Sequence, residues 1–320
     1  MITATPCNPA EVKVTLLKGG KSGEREVSLR SGAACAEGLE SMGFTVTQVD
    51  TADDDMIQQI IDSKPDVVYC ALHGRDGEDG RMQGLLELLR LPYTGSGVLA
   101  SALAMDKTRA KQIYRSAGLP TAQSVTLVRG EAYDIDDIVA QVGEHCVVKP
   151  ASEGSSIGMS MVTKREDLQG AIDEAFKHDH LLLVETFVAG VETTVAVLGN
   201  EDPEALPVIE IVPQESSAFY DFEAKYAPGG CTHIIPARIP AEQFKEAQRI
   251  AVEAHKALGC SGVSRTDIIC NPSGEMWILE TNTLPGMTAT SLLPDAAKEV
   301  GIEFGPLCKL MVELALEKKN

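Results

Sequence analysis

The sequence has few basic residues for its length. Its 320 residues include 28 lysines and arginines against 47 aspartates and glutamates, which gives a formal net charge of −19. Nucleic acids and anionic membranes bind basic surfaces. The composition therefore predicts no nucleic-acid partner and no membrane partner, although a nucleotide can still bind where a few lysines and a metal ion gather.

Long apolar runs and paired cysteines are also missing. No stretch of about 18 apolar residues occurs, so we expect no membrane-spanning helix. The first apolar run, residues 12–17, is interrupted by Lys13 and Thr15 and lacks the pattern of a secretion signal. None of the eight cysteines forms a Cys-x-x-Cys pair, which is typical of reduced thiols rather than a zinc site. These features predict a cytoplasmic protein.

Strand and helix patterns alternate in the first third of the chain. We predict strands at 12–17, 44–49 and 66–72, with helices at 26–42 and 56–63 between them. This alternation predicts a parallel α/β layer. Ligands then bind beside the loops that follow the strands, at 19–24 and 73–80, while residues 1–11 are expected to form a loose leader.

The rest of the chain mixes both patterns. We predict strands ending at Lys149 and spanning 181–187 and 192–198, and helices at 101–117, 240–258 and 302–317. The segment 213–236 has no clear period. A segment of this length and character is typical of a functional lid or a disordered loop.

The stretch from Arg265 onward is the most informative. Two apolar and β-branched runs flank the turn residues 271–274, which predicts a hairpin. Arg265 then lies opposite Glu280, with Asp267 diagonal to it, and Asn282 shares their face. Hard oxygen ligands beside an arginine suit magnesium bound to nucleotide phosphates. A surface hairpin with ordinary cross-strand ion pairs is the alternative.

Further candidates follow other predicted strands. Lys149 precedes the glycine- and serine-rich loop 152–158, whose amides suit phosphate oxygens, although the sequence is not a Walker A motif and a flexible turn is the alternative. Glu185 ends a buried strand and Glu192 follows it, where carboxylates suit ribose or adenine hydrogens. Solvated strand-end charges are the alternative for both.

Two more residues lie in loops of the α/β layer. Glu24 begins a predicted helix, where it either complements the helix dipole or anchors an ammonium group. His73 follows a strand and is either a partner for a carboxylate or an ordinary loop histidine.

Together these motifs resemble the ATP-grasp superfamily, and within it the D-alanine–D-alanine ligase family, over about residues 12–317. The matching motifs are Gly19-Gly-Lys-Ser-Gly-Glu-Arg-Glu-Val-Ser28, Ala71-Leu-His-Gly74, Gly77-Glu-Asp-Gly80, Leu91-Pro-Tyr-Thr-Gly-Ser-Gly97, Met105-Asp-Lys107, Val148-Lys-Pro150, Glu153-Gly-Ser-Ser-Ile-Gly158, Phe219-Tyr-Asp-Phe-Glu-Ala-Lys-Tyr226, Arg265-Thr-Asp267, Glu280-Thr-Asn-Thr-Leu-Pro-Gly-Met287 and Ser291.

The resemblance implies a fold of mixed α/β and α+β class. An N-terminal parallel α/β domain, residues 1–104, would precede two α+β ATP-grasp domains, 105–190 and 191–320, that sandwich ATP. The segment 213–236 resembles the mobile ω-loop of this family, and such a loop excludes water from a hydrolysable acyl phosphate. Family members are commonly homodimers, so a homodimer is implied as well.

The resemblance also implies a role for individual residues. The residues that would surround ATP are Lys107, Lys149, Glu185, Val188 and Glu192. The residues that would hold two Mg²⁺ or Mn²⁺ ions are Asp267, Glu280 and Asn282. The residues that would bind the amino acids or stabilise the oxyanion are Glu24 with Ser155 and Tyr226, His73, Ser291 with Lys225, and Arg265 with the amide of Gly286.

The activity implied is ATP-dependent joining of two D-alanine molecules through D-alanyl phosphate, which supplies bacterial peptidoglycan synthesis. Tyr226 accompanies dipeptide formation in this family, whereas ester-forming relatives carry other residues in this region. Two alternatives stay open, namely another ATP-grasp carboxylate–amine ligase and a nucleotide-binding regulator without catalysis.

Overall fold

The computed structural model describes residues 2, 4–154, 157–213, 231–288 and 290–318. Strands in this part of the chain form sheets of three, four and six strands. No helix in the same part is both long enough and apolar enough to cross a membrane.

The first sheet is parallel, with strand order β2-β1-β3. Its strands are β1 (Lys13–Lys18), β2 (Thr45–Asp50) and β3 (Val67–Cys70), and the helices around it are α1 (Arg25–Ser41), α2 (Met56–Ser63) and α3 (Arg81–Leu88). All four residues of β3 are buried because helices cover both faces of such a sheet. The predicted parallel layer is confirmed, and the loops after β1 and β3 line a common cavity at one edge.

A predicted single helix over 101–117 is instead two helices, α4 (Val98–Met105) and α5 (Lys107–Ser116). The break is at Asp106, whose backbone is extended. Its side chain accepts hydrogen bonds from the amides of Thr108 and Arg109, and this N-cap satisfies donors that the first turn of α5 leaves unpaired. The sequence prediction missed the break because the apolar period runs through it.

The second sheet is antiparallel, with strand order β4-β7-β5-β6. Its strands are β4 (Ser124–Val128), β5 (Cys146–Pro150), β6 (Ser160–Val162) and β7 (Leu181–Thr186), and its helices are α6 (Ile135–Val142) and α7 (Leu168–Ala175). Side chains of these strands and helices form a core of their own, which includes Ile138, Val148 and Ile172.

The third sheet has the order β11-β10-β8-β12-β13, with β9 beside β8. Its strands are β8 (Val191–Gly199), β9 (Glu204–Ala205), β10 (Ile209–Pro213), β11 (Cys231–Ile234), β12 (Gly262–Cys270) and β13 (Met276–Asn282). Helix α8 (Ala241–Leu258) lies between β11 and β12 in the chain, and α9 (Leu292–Glu299) and α10 (Phe304–Glu317) follow β13. β11 lies within the segment 213–236 that the sequence predicted to be irregular, so that prediction is wrong for β11. Residues 214–230 of the segment lie outside the described residues.

The N-terminal residues pack against α10. The amide of Cys7 donates to Oε1 of Glu313 at 3.0 Å, and the amide of Thr5 donates to Glu317. A short 3₁₀ helix, Pro9–Glu11, follows. The loose leader predicted for residues 1–11 is therefore wrong for its described residues, because backbone amides find carboxylates on a distant helix.

The first and third sheets share one hydrophobic core. Leu16 of β1, Leu198 of β8 and Leu307 of α10 belong to the same buried cluster. The second sheet has its own core, and its residues line a cleft together with residues of the third sheet. The boundaries at 104/105 and 190/191 stay predictions.

Candidate active site

The hairpin of β12 and β13 brings the predicted metal ligands together. Asp267 lies opposite Glu280, and Arg265 lies opposite Asn282. The sequence had predicted Arg265 opposite Glu280, so the predicted register is wrong although the four side chains do share one face.

Two local irregularities explain the register. The turn is one residue longer than predicted, because the amide of Asn271 donates to the carbonyl of Glu275. A second shift of one residue occurs between Asp267 and Ile268, where Leu279 is the extra residue of a bulge. The two single shifts add up to two residues, and because side chains alternate along a strand, a shift of two leaves the polar set on the same face.

Asp267 is the most constrained of these side chains. It is 5 % exposed, and the guanidinium of Arg265 donates to both its oxygens at 3.0 Å. The hydroxyl of Thr194 donates to Oδ1 at 2.5 Å, and Nδ2 of Asn282 lies 3.4 Å from Oδ2. This network holds the carboxylate in one orientation toward the cleft.

The donor set fits a magnesium ion shared with a ligand. Asp267, Glu280 and Asn282 offer two carboxylates and one amide oxygen. Among the residues that the structure describes, no three His, Cys, Asp or Glu side chains form a complete metal cluster. Mg²⁺ is typically held by one or two carboxylates together with substrate phosphates, which is the chemistry that Asp267 and Glu280 offer.

Two lysines of helix α5 contact carboxylates of the site. Lys107 and Lys111 are four residues apart and lie on one face of the helix. Nζ of Lys107 is 3.3 Å from Oε2 of Glu280 and donates to the carbonyl of Glu153 at 2.8 Å. Nζ of Lys111 donates to Oε2 of Glu185 at 2.7 Å.

Glu185, near the end of β7, lies between two ammonium groups. Nζ of Lys149 is 2.5 Å from its Oε1, and Lys111 contacts its other oxygen. Burial alone would raise the pKa of Glu185, but the charges of Lys149 and Lys111 outweigh burial and lower that pKa to about 2. The carboxylate is therefore ionised at neutral pH.

A cavity of about 630 Å³ lies between the second and third sheets. It is lined by all five predicted nucleotide residues, which are Lys107, Lys149, Glu185, Val188 and Glu192. Apolar side chains such as Met159, Met161 and Ile269 line it as well. A cleft lined by both apolar side chains and lysines suits a ligand with an aromatic base and a phosphate chain.

A smaller pocket of about 70 Å³ adjoins this cavity. It is lined by the predicted residues Glu24, His73, Arg265, Gly286 and Ser291. Glu280 lines both cavities, and Asn282 lines the smaller one. The hairpin therefore contributes side chains to the lining of both spaces.

The carboxylate of Glu24 lies close to the backbone of two glycines, Gly74 and Gly154. A Cβ added at Gly74 would lie 2.6 Å from its Oε2, and one added at Gly154 would lie 2.8 Å from the same oxygen. Gly74 also has a φ of +69°, which favours glycine. Although Glu24 occupies the N-cap position of α1, it makes no side-chain capping bond there. Its carboxylate faces the pocket, which favours the anchor interpretation over dipole complementation.

His73 is tied to the first helix and to the loop after β13. Its Nε2 lies 3.1 Å from Oγ of Ser31, and that hydroxyl also accepts from the amide of Met287. Burial lowers the pKa of His73, and the nearby Glu24 carboxylate opposes this effect. The imidazole is thus fixed at the pocket wall.

Gly286 and Ser291 lie beside each other. A Cβ on Gly286 would come 2.9 Å from Oγ of Ser291. That hydroxyl accepts from the amide of Thr288 at 2.9 Å, and Ser291 is the N-cap of α9. A backbone amide and a hydroxyl can thus face the same small ligand. The other predicted site residues, Ser155, Lys225 and Tyr226, lie outside the described residues.

The sequence prediction missed two charged residues near the site, the buried Lys111 and the half-buried Glu78. Lys111 follows Lys107 at helical spacing, which was a usable signal. Glu78 belongs to a quoted motif and lines the smaller pocket; burial, and after it the charge of Glu24, raises its pKa to about 8. The partner of Lys111 could not be predicted, because Glu185 is 74 residues away in the sequence.

Comparisons with known families agree over most of the chain. Residues 46–96 match the family model described as D-ala D-ala ligase N-terminus, and residues 113–313 match D-ala D-ala ligase C-terminus. A D-alanine–D-alanine ligase of Pelotomaculum thermopropionicum is 47 % identical over 312 residues, which cover 96 % of this chain and 97 % of the relative. One from Syntrophobacter fumaroxidans is 48 % identical over 307 residues, covering 96 % and 98 %.

Solved structures show the same fold. The D-alanine–D-alanine ligase of Bacillus anthracis complexed with ATP matches with a TM-score of 0.83 and 30 % identity, covering 95 % of this chain and 97 % of that one. The VanG D-Ala:D-Ser ligase of Enterococcus faecalis matches with a TM-score of 0.82 and 34 % identity, covering 95 % and 99 %. The ATP-grasp fold expected from the sequence is confirmed. The chain belongs to the D-alanine–D-alanine ligase family.

Proposed function

We propose that this protein is an ATP-dependent ligase that joins two D-alanine molecules to D-alanyl-D-alanine for peptidoglycan synthesis. The observation that supports this proposal most directly is Glu280, which lines both the 630 Å³ cleft and the smaller pocket. A nucleotide in the cleft would therefore present its phosphates to an amino acid in the pocket. The curated relatives at 47–48 % identity carry the same activity in their names.

The nucleotide would lie with its base against the apolar walls and its phosphates near the lysines. Lys107 and Lys149 would neutralise phosphate oxygens. Glu185, Val188 and Glu192 would contact adenine or ribose at the turn between β7 and β8. Positioning and charge neutralisation are the main means by which proteins promote phosphoryl transfer.

Asp267, Glu280 and Asn282 would hold two Mg²⁺ or Mn²⁺ ions. When bound, such ions neutralise charge on the phosphate oxygens and orient the chain of phosphates. Arg265 and Lys107 keep the carboxylates oriented through the contacts described above.

The first D-alanine would bind in the smaller pocket. Glu24 would hold its ammonium group, in a network with Ser155 and Tyr226, and His73 would lie near its carboxylate. That carboxylate attacks the γ-phosphorus of ATP, so that ADP leaves and D-alanyl phosphate forms.

The second D-alanine would be held through its carboxylate by Ser291 and Lys225. Its amine attacks the carbonyl carbon of D-alanyl phosphate, a C–N bond forms, and phosphate leaves as the amine loses a proton. Arg265 and the amide of Gly286 would stabilise the tetrahedral oxyanion. Donors aimed at developing charge are usually the largest single catalytic contribution.

Three expectations complete the proposal. The segment 213–236 would act as a lid that keeps water from the acyl phosphate. Tyr226 favours the amide product over an ester. A homodimer and a cytoplasmic location stay predictions.

The direct test is ADP release by the purified protein with ATP and magnesium. We expect release with D-alanine and none with L-alanine, and a D-alanyl-D-alanine product identified by mass spectrometry. D-Serine and D-lactate, offered with D-alanine at neutral pH, test the second site. ADP release only with a different acceptor amine would favour another carboxylate–amine ligase, and nucleotide binding without turnover would favour a regulator.

A further inference from the structure

Lys111 is a buried lysine without a role in the mechanism above. It is 1 % exposed and is among the largest fully buried side chains of the described residues. Lysine is almost never fully buried unless it is paired. Its partner is Glu185, 74 residues away in the sequence, at 2.7 Å.

Glu185 is shared between a lysine inside the protein and a lysine at the cleft. The side chain of Lys111 is 2 % exposed, whereas that of Lys149 is 11 % exposed. Lys149 and Glu185 line the nucleotide cavity, and Lys111 does not. A ligand in the cleft can thus reach Lys149 directly but can reach Lys111 only through Glu185.

The contact between Lys149 and Glu185 must change before Lys149 can bind a nucleotide phosphate. Lys149 contacts Glu185 at 2.5 Å, so a phosphate group must compete with that carboxylate for the ammonium. A carboxylate that loses its only cation in a buried place is strongly destabilised. Glu185 avoids this outcome only if Lys111 remains bound to it.

Backbone geometry holds Lys111 and Glu185 in place. Glu185 lies in β7, between β4 and β5, where it is paired in register with Ser124 and Val147. Lys111 lies in the second turn of α5, whose start is capped by Asp106. Neither backbone belongs to a loop.

We propose that Lys111 is a positioning residue, the permanent counter-ion of Glu185 that allows Lys149 to move from this carboxylate to a nucleotide phosphate. The inference rests on the proposed function, because it assumes that ATP binds in the cleft. Lys111 itself contacts neither nucleotide nor amino acid. Its effect is therefore confined to ligands that carry phosphate.

The test compares the Kd of ATP with that of adenosine, both in the presence of magnesium, by isothermal titration calorimetry. In Lys111→Met, we expect the Kd of ATP to rise about 100-fold, since Lys149 can no longer leave Glu185. The Kd of adenosine should stay within about threefold of wild type, since adenosine leaves Lys149 in place. Arg109→Met, an exposed charge loss on the same helix, is the control and should change neither value.

A double variant separates positioning from support of the fold. In Lys111→Met with Glu185→Gln, no carboxylate retains Lys149, so the preference for ATP over adenosine should return to the wild-type level or exceed it. This variant also decides the matter if Lys111→Met alone fails to fold.

Each contrary outcome overturns a definite claim. The role of Lys111 would be overturned if Lys111→Met lost equal affinity for ATP and adenosine, or lost no affinity for ATP. It would also be overturned if the double variant kept a reduced preference for ATP over adenosine. Failure of the wild-type protein to bind ATP would instead overturn the proposed function.

Discussion

Arg265 shows how one side chain can serve both structure and chemistry. Its planar guanidinium binds both oxygens of Asp267 at 3.0 Å, a geometry that lysine cannot reproduce. The same side chain lines the smaller pocket. One residue therefore fixes a proposed metal ligand and faces the proposed oxyanion.

Arg265→Ala should lower turnover by roughly 100-fold to 1000-fold, the usual cost of removing one oxyanion donor. Arg265→Lys keeps the charge but loses the two-point contact, so we expect an intermediate loss. Steady-state kinetics with circular dichroism, to check that the fold is intact, measures both. Unchanged turnover in the alanine variant would contradict the assignment.

Glu280→Gln should raise the magnesium concentration required for half-maximal activity, because an amide is a weaker ligand than a carboxylate. We expect an increase of at least about tenfold, measured by magnesium titration of ADP release. Glu275→Gln, at the exposed tip of the same hairpin, is the matched control. An equal magnesium requirement in both variants would argue against the metal assignment.

At the scale of elements, β11 is joined to α9 by a charged hydrogen bond. Nδ1 of His233 lies 2.7 Å from Oδ2 of Asp295, and Sγ of Cys231 lies 3.4 Å from Nε2. The hydrogen bond to Asp295, with a smaller effect of Cys231, raises the pKa of His233 to about 9. Ser291 is the N-cap of α9, so this hydrogen bond connects the strand after residues 214–230 to the proposed second-substrate site.

The hydrogen bond between His233 and Asp295 should make the stability of the fold depend on pH. The pKa of His233 is about 9 in the folded protein and about 6.5 in the unfolded chain. The contribution of its hydrogen bond to the free energy of unfolding is therefore complete below about pH 6.5 and disappears as the pH rises through about 9. Asp295→Asn should lower stability at pH 6 and have little effect at pH 10, as measured by urea unfolding. Glu299→Gln, an exposed change on the same helix, should show no such dependence; an equal loss at both pH values for Asp295→Asn would contradict the prediction.

The start of β8 also depends on close backbone packing. A Cβ on Gly190 would lie 2.5 Å from the carbonyl oxygen of Cys270 and 2.7 Å from its carbonyl carbon. Gly190→Ala should therefore push the turn 187–190 away from the hairpin, lower stability by about 1–3 kcal/mol and weaken ATP binding. Gly170→Ala, where a Cβ meets nothing within 4 Å in helix α7, should leave stability unchanged or higher; thermal unfolding and ATP titration compare the two.

At the scale of the whole molecule, the cleft joins bodies with different cores. The first and third sheets share a core, whereas the second sheet has its own. Residues from the second and third sheets line the nucleotide cavity together. A ligand in the cleft would contact both bodies, so binding should stabilise their arrangement.

Magnesium and ATP should therefore raise the unfolding temperature of the entire chain. At an ATP concentration of 100 times its Kd, linkage contributes about 2.7 kcal/mol. Differential scanning fluorimetry with ATP, with adenosine and without ligand measures this shift. An unchanged unfolding temperature at saturating ATP would contradict binding to the native cleft.

The sequence predicted much of this fold because periodicity and turn residues act locally. The helix 56–63 and the three parallel strands required no knowledge of distant partners. The extra residue in the hairpin turn and the bulge at Leu279 were not predictable, because the register of a hairpin also depends on the strands that pair with it. The short helix break at Asp106 was missed because an apolar period continued across it.

The sequence by itself determined which residue types face the cleft. A strand period of two places Asp267, Glu280 and Asn282 on one side of the hairpin, and two single-residue shifts leave that outcome unchanged. Only the tertiary structure decided which buried charged residues pair with each other. Lys111 and Glu185 are 74 residues apart, and they pair because a buried charge is stable only when an opposite charge lies close enough to compensate it.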